Sequence, residues 1–178
     1  MNIRAAIAVA LLIVGCGGGS GGSAPLALGT AAVVDHTQLA GASPGPKTTL
    51  AVTVKAVRTG TIAELEAGGF DLDADQKAKT PYYVDWSFEN RGSQAIDQHL
   101  DVGMEDQDSQ LITSVAVINL GGDKFQSCPD NREGSLAPGQ KVDTCTLFLV
   151  GQGKTPTKIS FLPYDPTKET DFVYWAAK

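Results

Sequence analysis

From residue 47 onward the chain alternates apolar and polar positions with a period of two. Residues 49–57, TLAVTVKAV, place Leu50, Val52, Val54 and Ala56 on one face and Ala51, Thr53, Lys55 and Val57 on the other. Residues 82–90, YYVDWSFEN, do so more cleanly: Tyr82, Val84, Trp86 and Phe88 point one way, and Tyr83, Asp85, Ser87 and Glu89 the other. That is the pattern of a strand with one buried and one wetted face. After the turn residues ENRGSQ, residues 95–104 resume the alternation, with Ile96, Gln98, Leu100, Val102 and Met104 sharing a face. Residues 111–120 are apolar on both faces, 143–150 and 157–162 are β-branched and aromatic, and 171–176 close the series, so about seven strands are predicted. Helical signal is confined to 59–69, TGTIAELEAGG, where Thr61, Glu64 and Gly68 are placed to cap one short helix.

Short strands separated by turn residues bury their apolar faces by packing two antiparallel sheets together. A closed barrel satisfies the same alternation. The irregular connections, above all the long one from Val57 to Tyr82, favour the sandwich. Residues 136–140, Leu-Ala-Pro-Gly-Gln, put Pro138 and Gly139 at the centre of a type II turn, with the next strand starting near Val142.

The N-terminal third has a different texture. Arg4 is followed by eleven small or apolar residues, 5–15, which run directly into Cys16 and the glycine-serine stretch 17–23. A spanning helix needs about 20 apolar residues, so residues 1–15 read as a secretory signal. Ile13-Val14-Gly15-Cys16 resembles the bacterial lipobox, which implies cleavage after Gly15 and diacylation of the Cys16 thiol. Two acyl chains anchor stably where one is marginal. The alternative is ordinary secretion, with Cys16 removed or left as a free thiol. Residues 16–47 are rich in glycine, proline and alanine and hold one acid, Asp35, and one base, Lys47. They are expected to form a flexible tether that reaches roughly 30 Å, with the folded domain over 48–178. Whether 26–39 docks on the domain or forms a short strand is left open by their scattered apolar residues.

The formal charge of −6 becomes about −7 when Arg4 leaves with the signal, and no basic cluster is present to hold phosphate, so no nucleic-acid partner is expected. Cys128 and Cys145 lie 17 apart in a chain bound for an oxidising compartment. With Cys16 assigned to lipid the remaining count is even, and a single disulfide is the one possible pairing. A bound metal or two free thiols would be the alternatives, and neither has a C-x-x-C spacing or a neighbouring histidine in its support.

A Y-x-V-x-W-x-F-x-N-x-G strand and turn at 82–92, a Leu-x-Pro-Gly turn leading into a strand over 136–150, and the terminal stretch 159–175 together resemble the small immunoglobulin-like domains of actinobacterial-type lipoproteins. The resemblance spans most of 48–178. It implies an all-β fold, an immunoglobulin-like antiparallel β-sandwich, with an extracytoplasmic, non-enzymatic role and no catalytic residues to carry over.

Several local patterns suggest chemistry and fail on context. Residues 18–22 match G-x-S-x-G, but a nucleophile elbow needs a strand before it and a helix after it. GQGKTPT at 151–157 lacks the first glycine of a phosphate loop, where Phe148 stands, and Pro156 would interrupt the required helix. Serine, cysteine or histidine catalysis needs a base beside the nucleophile, and the two histidines are His36, in the expected tether, and His99, on the wetted side of its strand, where a solvated histidine is the simpler reading. Asp71, Asp73 and Asp75 stand at the spacing of an EF-hand start, yet Gln76 replaces the turn glycine and Tyr82 the bidentate glutamate. A looser calcium site would need backbone carbonyls and a further acid from Glu105, Asp106 or Asp108; a solvated acidic loop is the simpler reading. Tyr82, Trp86 and Phe88 are expected in the core, whereas Tyr83, Tyr164 and Trp175 either pack terminal strands or contribute to a binding surface.

The sequence thus leads to a lipid-anchored module on the extracytoplasmic face of the cell membrane, without catalytic activity or cofactor. Its partners would be the membrane, through its anchor, and an envelope protein or cell-wall component. The alternative is a cation- or small-solute-binding lipoprotein that uses the 71–75 loop.

Overall fold

A computed structural model of the chain describes residues 24–40, 43–98, 100–115, 125–165, 167 and 172–178. Its strands are β1 (Ala31–Ala40), β2 (Ser43–Thr59), β3 (Thr80–Asn90), β4 (Ile96–Asp97), β5 (Gly103–Asp106), β6 (Leu111–Ile112), β7 (Ser114–Val115), β8 (Ser135–Leu136), β9 (Lys141–Val150), β10 (Pro156–Phe161) and β11 (Val173–Ala176). One sheet has the order β1-β2-β3-β9-β7 and the other β11-β10-β5-β6, while β4 and β8 form a separate pair; all these ladders are antiparallel. The apolar faces of the two sheets meet in one core, in which Val52, Val54, Trp86, Phe88 and Phe148 of the first sheet face Met104, Ile159 and Trp175 of the second. Each buried indole finds an acceptor: Trp86 Nε1 donates to Thr146 Oγ1 at 3.0 Å and Trp175 Nε1 to the Thr30 carbonyl at 2.8 Å. This is the all-β sandwich that the alternation predicts.

Each of the seven predicted segments carries strand, but two are divided between sheets. Residues 95–104 supply β4 to the small pair and β5 to the second sheet, and 111–120 supply β6 to the second sheet and β7 to the first. Alternation survives the break, since Ile96, Gln98, Leu100, Val102 and Met104 are all buried.

The expected tether over 16–47 is corrected by β1, which pairs with β2 from Ala31–Thr53 to Ala40–Ser43. Ahead of it, Leu26 makes a parallel bridge to Trp175 on β11, with the Leu26 N–H on the Tyr174 carbonyl and the Ala176 N–H on the Leu26 carbonyl, both at 2.8 Å. The folded unit is therefore entered by Leu26 and not at residue 48. The reason lies in β2: without β1 its outer N–H and C=O groups would stand unpaired beside the core. Leu26, Leu28 and Val34 add their side chains to that core. The expected signal and the expected lipidation at Cys16 fall outside the described residues, as does His99.

The expectation of a wetted outer face on β3 also requires correction. Tyr83 is buried there, because α1 (Ile62–Ala67), residue 72 and the 125–128 segment cover it on this side of the first sheet, and Ser87 is buried as well. Leu65, Leu72, Tyr83, Phe125, Leu147 and Leu149 form a second apolar cluster, with Phe125 edge-on to both Tyr83 and Phe70. The Cys128–Cys145 disulfide fastens that segment to β9. Helix α1 has the predicted caps: Thr61 and Glu64 close a reciprocal capping box and Gly68 ends the helix.

Asn90 joins the turns around the end of β3. Its side-chain oxygen accepts from the Thr48 hydroxyl and the Gly92 N–H, and its amide nitrogen donates to the carbonyls of Gln94 at 2.7 Å and Leu136 at 3.0 Å. Its backbone carbonyl takes the Gly139 N–H at 2.7 Å. The Pro138-Gly139 turn has the predicted form, with Gly139 at φ +77° and the Gln140 N–H on the Ala137 carbonyl. Gly92 is required by space, since a Cβ there would lie within 2.1 Å of Thr48 Oγ1.

Candidate functional site

A cleft of about 390 Å³ opens where residues 36–38 of β1 meet the 97–101 segment and the 161–164 segment after β10. The register of β1 shifts between Thr37 and Leu39, within the cleft wall, and such a bulge re-aims the side chains beside it. Gln38 Oε1 accepts the Asp97 N–H at 2.8 Å, which ties the first wall to the second. The third wall docks on the edge of β1: the Thr37 N–H donates to the Tyr164 carbonyl at 2.6 Å, and the Tyr164 N–H donates to His36 Nδ1 at 3.1 Å. Leu100 and Phe161 are buried at the base, and exposed Leu162 stands at the rim.

Arg132 holds the middle wall in place. Its guanidinium binds Asp130 through two 2.8 Å bonds, donates to the Leu100 carbonyl and reaches Asp101 at 2.7 Å. Gln98 and Glu133 exchange side-chain-to-backbone bonds alongside it. Burial alone would raise the Asp130 carboxyl, but the hydrogen bonds and charge of Arg132 outweigh it and hold the group below the usual carboxylate range. Those bonds in turn raise Arg132 further, against the opposing effect of its burial.

His36 is buried in the cleft wall beside Phe161, at 6.1 Å between ring centroids, and burial lowers its pKa. Because Nδ1 accepts a backbone N–H, the folded state requires the neutral ring with its proton on Nε2. The unfolded chain, with an ordinary pKa near ~6.5, takes up that proton first. The His36 contribution is therefore complete above that value and is lost as pH falls through it toward the folded pKa. Urea unfolding at pH 7.5 and 5.5 is expected to show lower stability at the acidic value, with a smaller drop in His36→Gln, whose amide oxygen can accept the same N–H. Equal drops in the two proteins would remove His36 as the cause.

The carboxylates singled out by the sequence are not brought together. Asp73 caps α2 (Ala74–Lys77) by accepting the Gln76 N–H at 2.8 Å, and Asp75 pairs with Lys79 at 2.7 Å. Asp71 is exposed. Glu105 pairs with Lys158 on the second sheet, Asp106 accepts the N–H groups of Asp108 and Gln110 in the β5–β6 turn, and Asp108 pairs with Lys154. Among the described residues no three His, Cys, Asp or Glu side chains are placed to hold a metal ion. Tyr83 and Trp175 are buried and belong to no binding surface, whereas Tyr164 lines the cleft. Sequence reasoning missed His36, Gln38, Asp97 and Asp101 as neighbours. Recognising β1 as a strand would have supplied the first two.

Among the described residues no helix is long and apolar enough to cross a membrane. No protein-family model matches the chain, and no curated protein matches it. Among solved structures it is similar to MPT63, a secreted protein from Mycobacterium tuberculosis, with a TM-score of 0.53 and 12% identity over 86% of this chain and 98% of that one. A conserved hypothetical protein from Bacillus anthracis aligns with 70% of this chain and 87% of its own at 16% identity and a TM-score of 0.38. At 12% identity the first likeness bears on the fold alone, an immunoglobulin-like antiparallel sandwich.

Proposed function

We propose that the protein is a lipid-anchored, extracytoplasmic binding module without catalytic activity, held at the cell membrane through Cys16 and engaging its partner through the cleft beside β1. The observation that carries the binding half is the use of the cleft's polar groups. His36 Nδ1, Gln38 Oε1 and Asp101 are engaged in holding the walls, which leaves a shaped surface and no nucleophile with an adjacent base. Asp101, whose side chain stays 68% exposed while it accepts from Arg132, lines the cleft with Phe161, Leu162 and Tyr164, which suits a cationic or amide group flanked by an apolar one, such as a short segment of an envelope protein. The anchor half rests on the lipobox at residues 13–16.

Two measurements test the two halves. Intact mass of the membrane-derived product is expected to show a chain starting at Cys16 and carrying a diacylglyceryl group, and the addition should vanish in Cys16→Ala. An unmodified chain in the medium removes the anchor. Titration of short lysine- and leucine-containing peptides into isotope-labelled protein is expected to shift amides of 36–38, 97–101 and 161–164. Shifts scattered elsewhere, or none, remove the cleft as the binding surface.

A further inference from the structure

We infer that the outer face of the β11-β10-β5-β6 sheet lies against the lipid bilayer to which Cys16 is attached. This rests on the anchor reading above and adds to it an orientation. Four large apolar side chains are exposed among the described residues: Leu111 at 66%, Val33 at 57%, Leu162 at 47% and Phe172 at 44%. Two of them, Leu111 and Phe172, share this one face. In β10 Ile159 is in the core, so Lys158 and Ser160 turn to the other side of the sheet with their partners Glu105 and Tyr174, and Ser160 is itself buried there. Leu111 is paired with Glu105 and reaches over Gly103, where a Cβ would lie 3.2 Å from its methyl group. Phe172 directly precedes Val173, whose side chain joins the core, so it falls on the outer side with Tyr174, whereas Leu162 turns to the cleft rim. Phe172 stacks on Tyr174 at 5.8 Å, and Lys158 lies over the Tyr174 ring at 5.1 Å while paired with Glu105. In a chain of net charge −6 the charges that the described residues of these four strands turn to this face are Lys158 and Glu105, which pair with each other, beside Leu111, Phe172 and Tyr174. Aromatic rings beside an apolar surface are suited to the boundary between head groups and acyl chains.

The position of the N-terminus selects the bilayer as the occupant. Leu26 runs parallel to β11 at its outer edge, so the chain ahead of it heads toward the Phe172 end of that strand. Cys16 precedes Ala24 by eight residues, which span at most about 28 Å when fully extended. As a coil these eight residues have a root-mean-square reach of roughly 16 Å, about half that of a tether running to residue 47, which keeps the proposed anchor within reach of the apolar face.

The test uses the chain from Cys16 onward, which contains every described residue. Its single cysteine outside the disulfide is coupled to a maleimide lipid in phosphatidylcholine vesicles, so that the anchor is imposed whether or not the cell supplies it. Phe172→Trp and Val33→Trp each add one indole, the first on the proposed face and the second on the opposite sheet. In vesicles whose acyl chains are brominated near the head group, the added emission of Phe172→Trp is expected to be blue-shifted and quenched, and that of Val33→Trp to be unchanged. Equal quenching of both, or of neither, overturns the orientation. A blue shift that persists without lipid and grows with protein concentration assigns the face to a second copy of the chain and also overturns it. Failure of the mass measurement above with quenching intact would remove the anchor reading while leaving the lipid affinity of this face in place.

Discussion

Replacing Asn90 with alanine is expected to lower folding stability by about 4 kcal/mol and the melting temperature by roughly 10 °C. The estimate counts partners. Asn90 is fully buried, and truncation leaves the Thr48 hydroxyl, the Gly92 N–H and the carbonyls of Gln94 and Leu136 without their bonds. Each such group loses about 1 kcal/mol or more when nothing replaces its partner. Asn90→Asp retains the acceptors but sets a carboxylate against two carbonyl oxygens, and is expected to be at least as damaging at neutral pH. Urea unfolding of the three proteins measures both effects; a loss under about 1 kcal/mol for the alanine variant would mean that water repairs the network. The same geometry explains why Asn90-x-Gly92 and the Leu-x-Pro-Gly turn occur in one chain, because Asn90 binds Leu136 through its side chain and Gly139 through its carbonyl. Two short motifs, 46 residues apart in their key partners, form one junction.

Reducing the Cys128–Cys145 disulfide, or replacing both cysteines with alanine, is expected to cost about 3 kcal/mol, the value for a loop of this length on chain-entropy grounds. The loss should also be local. Cys128 fastens the Phe125 segment over Tyr83 and the outer face of β3, whereas the core between the two sheets does not include either cysteine. Hydrogen exchange of the reduced protein is therefore expected to rise first in 62–72 and 125–128, with the amides of β3 and β9 following only near global unfolding. A uniform rise across the molecule would show that the outer layer and the sandwich unfold as one unit.

What could be read from the sequence was what lies within one element. Alternation at 82–90 gave the core face of β3, and Thr61, Glu64 and Gly68 gave both ends of α1, because caps and pleats depend on residues a few positions apart. Tyr83 shows the limit of that reading. Its alternation places it opposite the core, and its burial is decided by Leu65 and Phe125, which lie far from it in sequence. The same holds for β1, whose glycine- and proline-rich flanks suggest a coil and whose strand conformation comes from the unpaired edge of β2. The cleft needs three segments near 37, 100 and 162 to converge, so its residues carry no local signature. The acidic triplet at 71–75 had such a signature and serves mainly to start a helix.

The path of β1 has a mechanical consequence. In the proposed arrangement the load from an anchor at Cys16 would enter through Leu26, ahead of β1, and residues 36–38 of β1 form one wall of the cleft. The share of a pull between the proposed anchor and a ligand that reaches the 36–38 wall would run along β1 and pass by most of the sandwich. Nine pairings with β2 resist that load side by side, in shear, so they must yield together, whereas the lone Leu26 bridge gives way by itself. Under tension the protein would lengthen by a few residues at the membrane end before its grip on the ligand was disturbed.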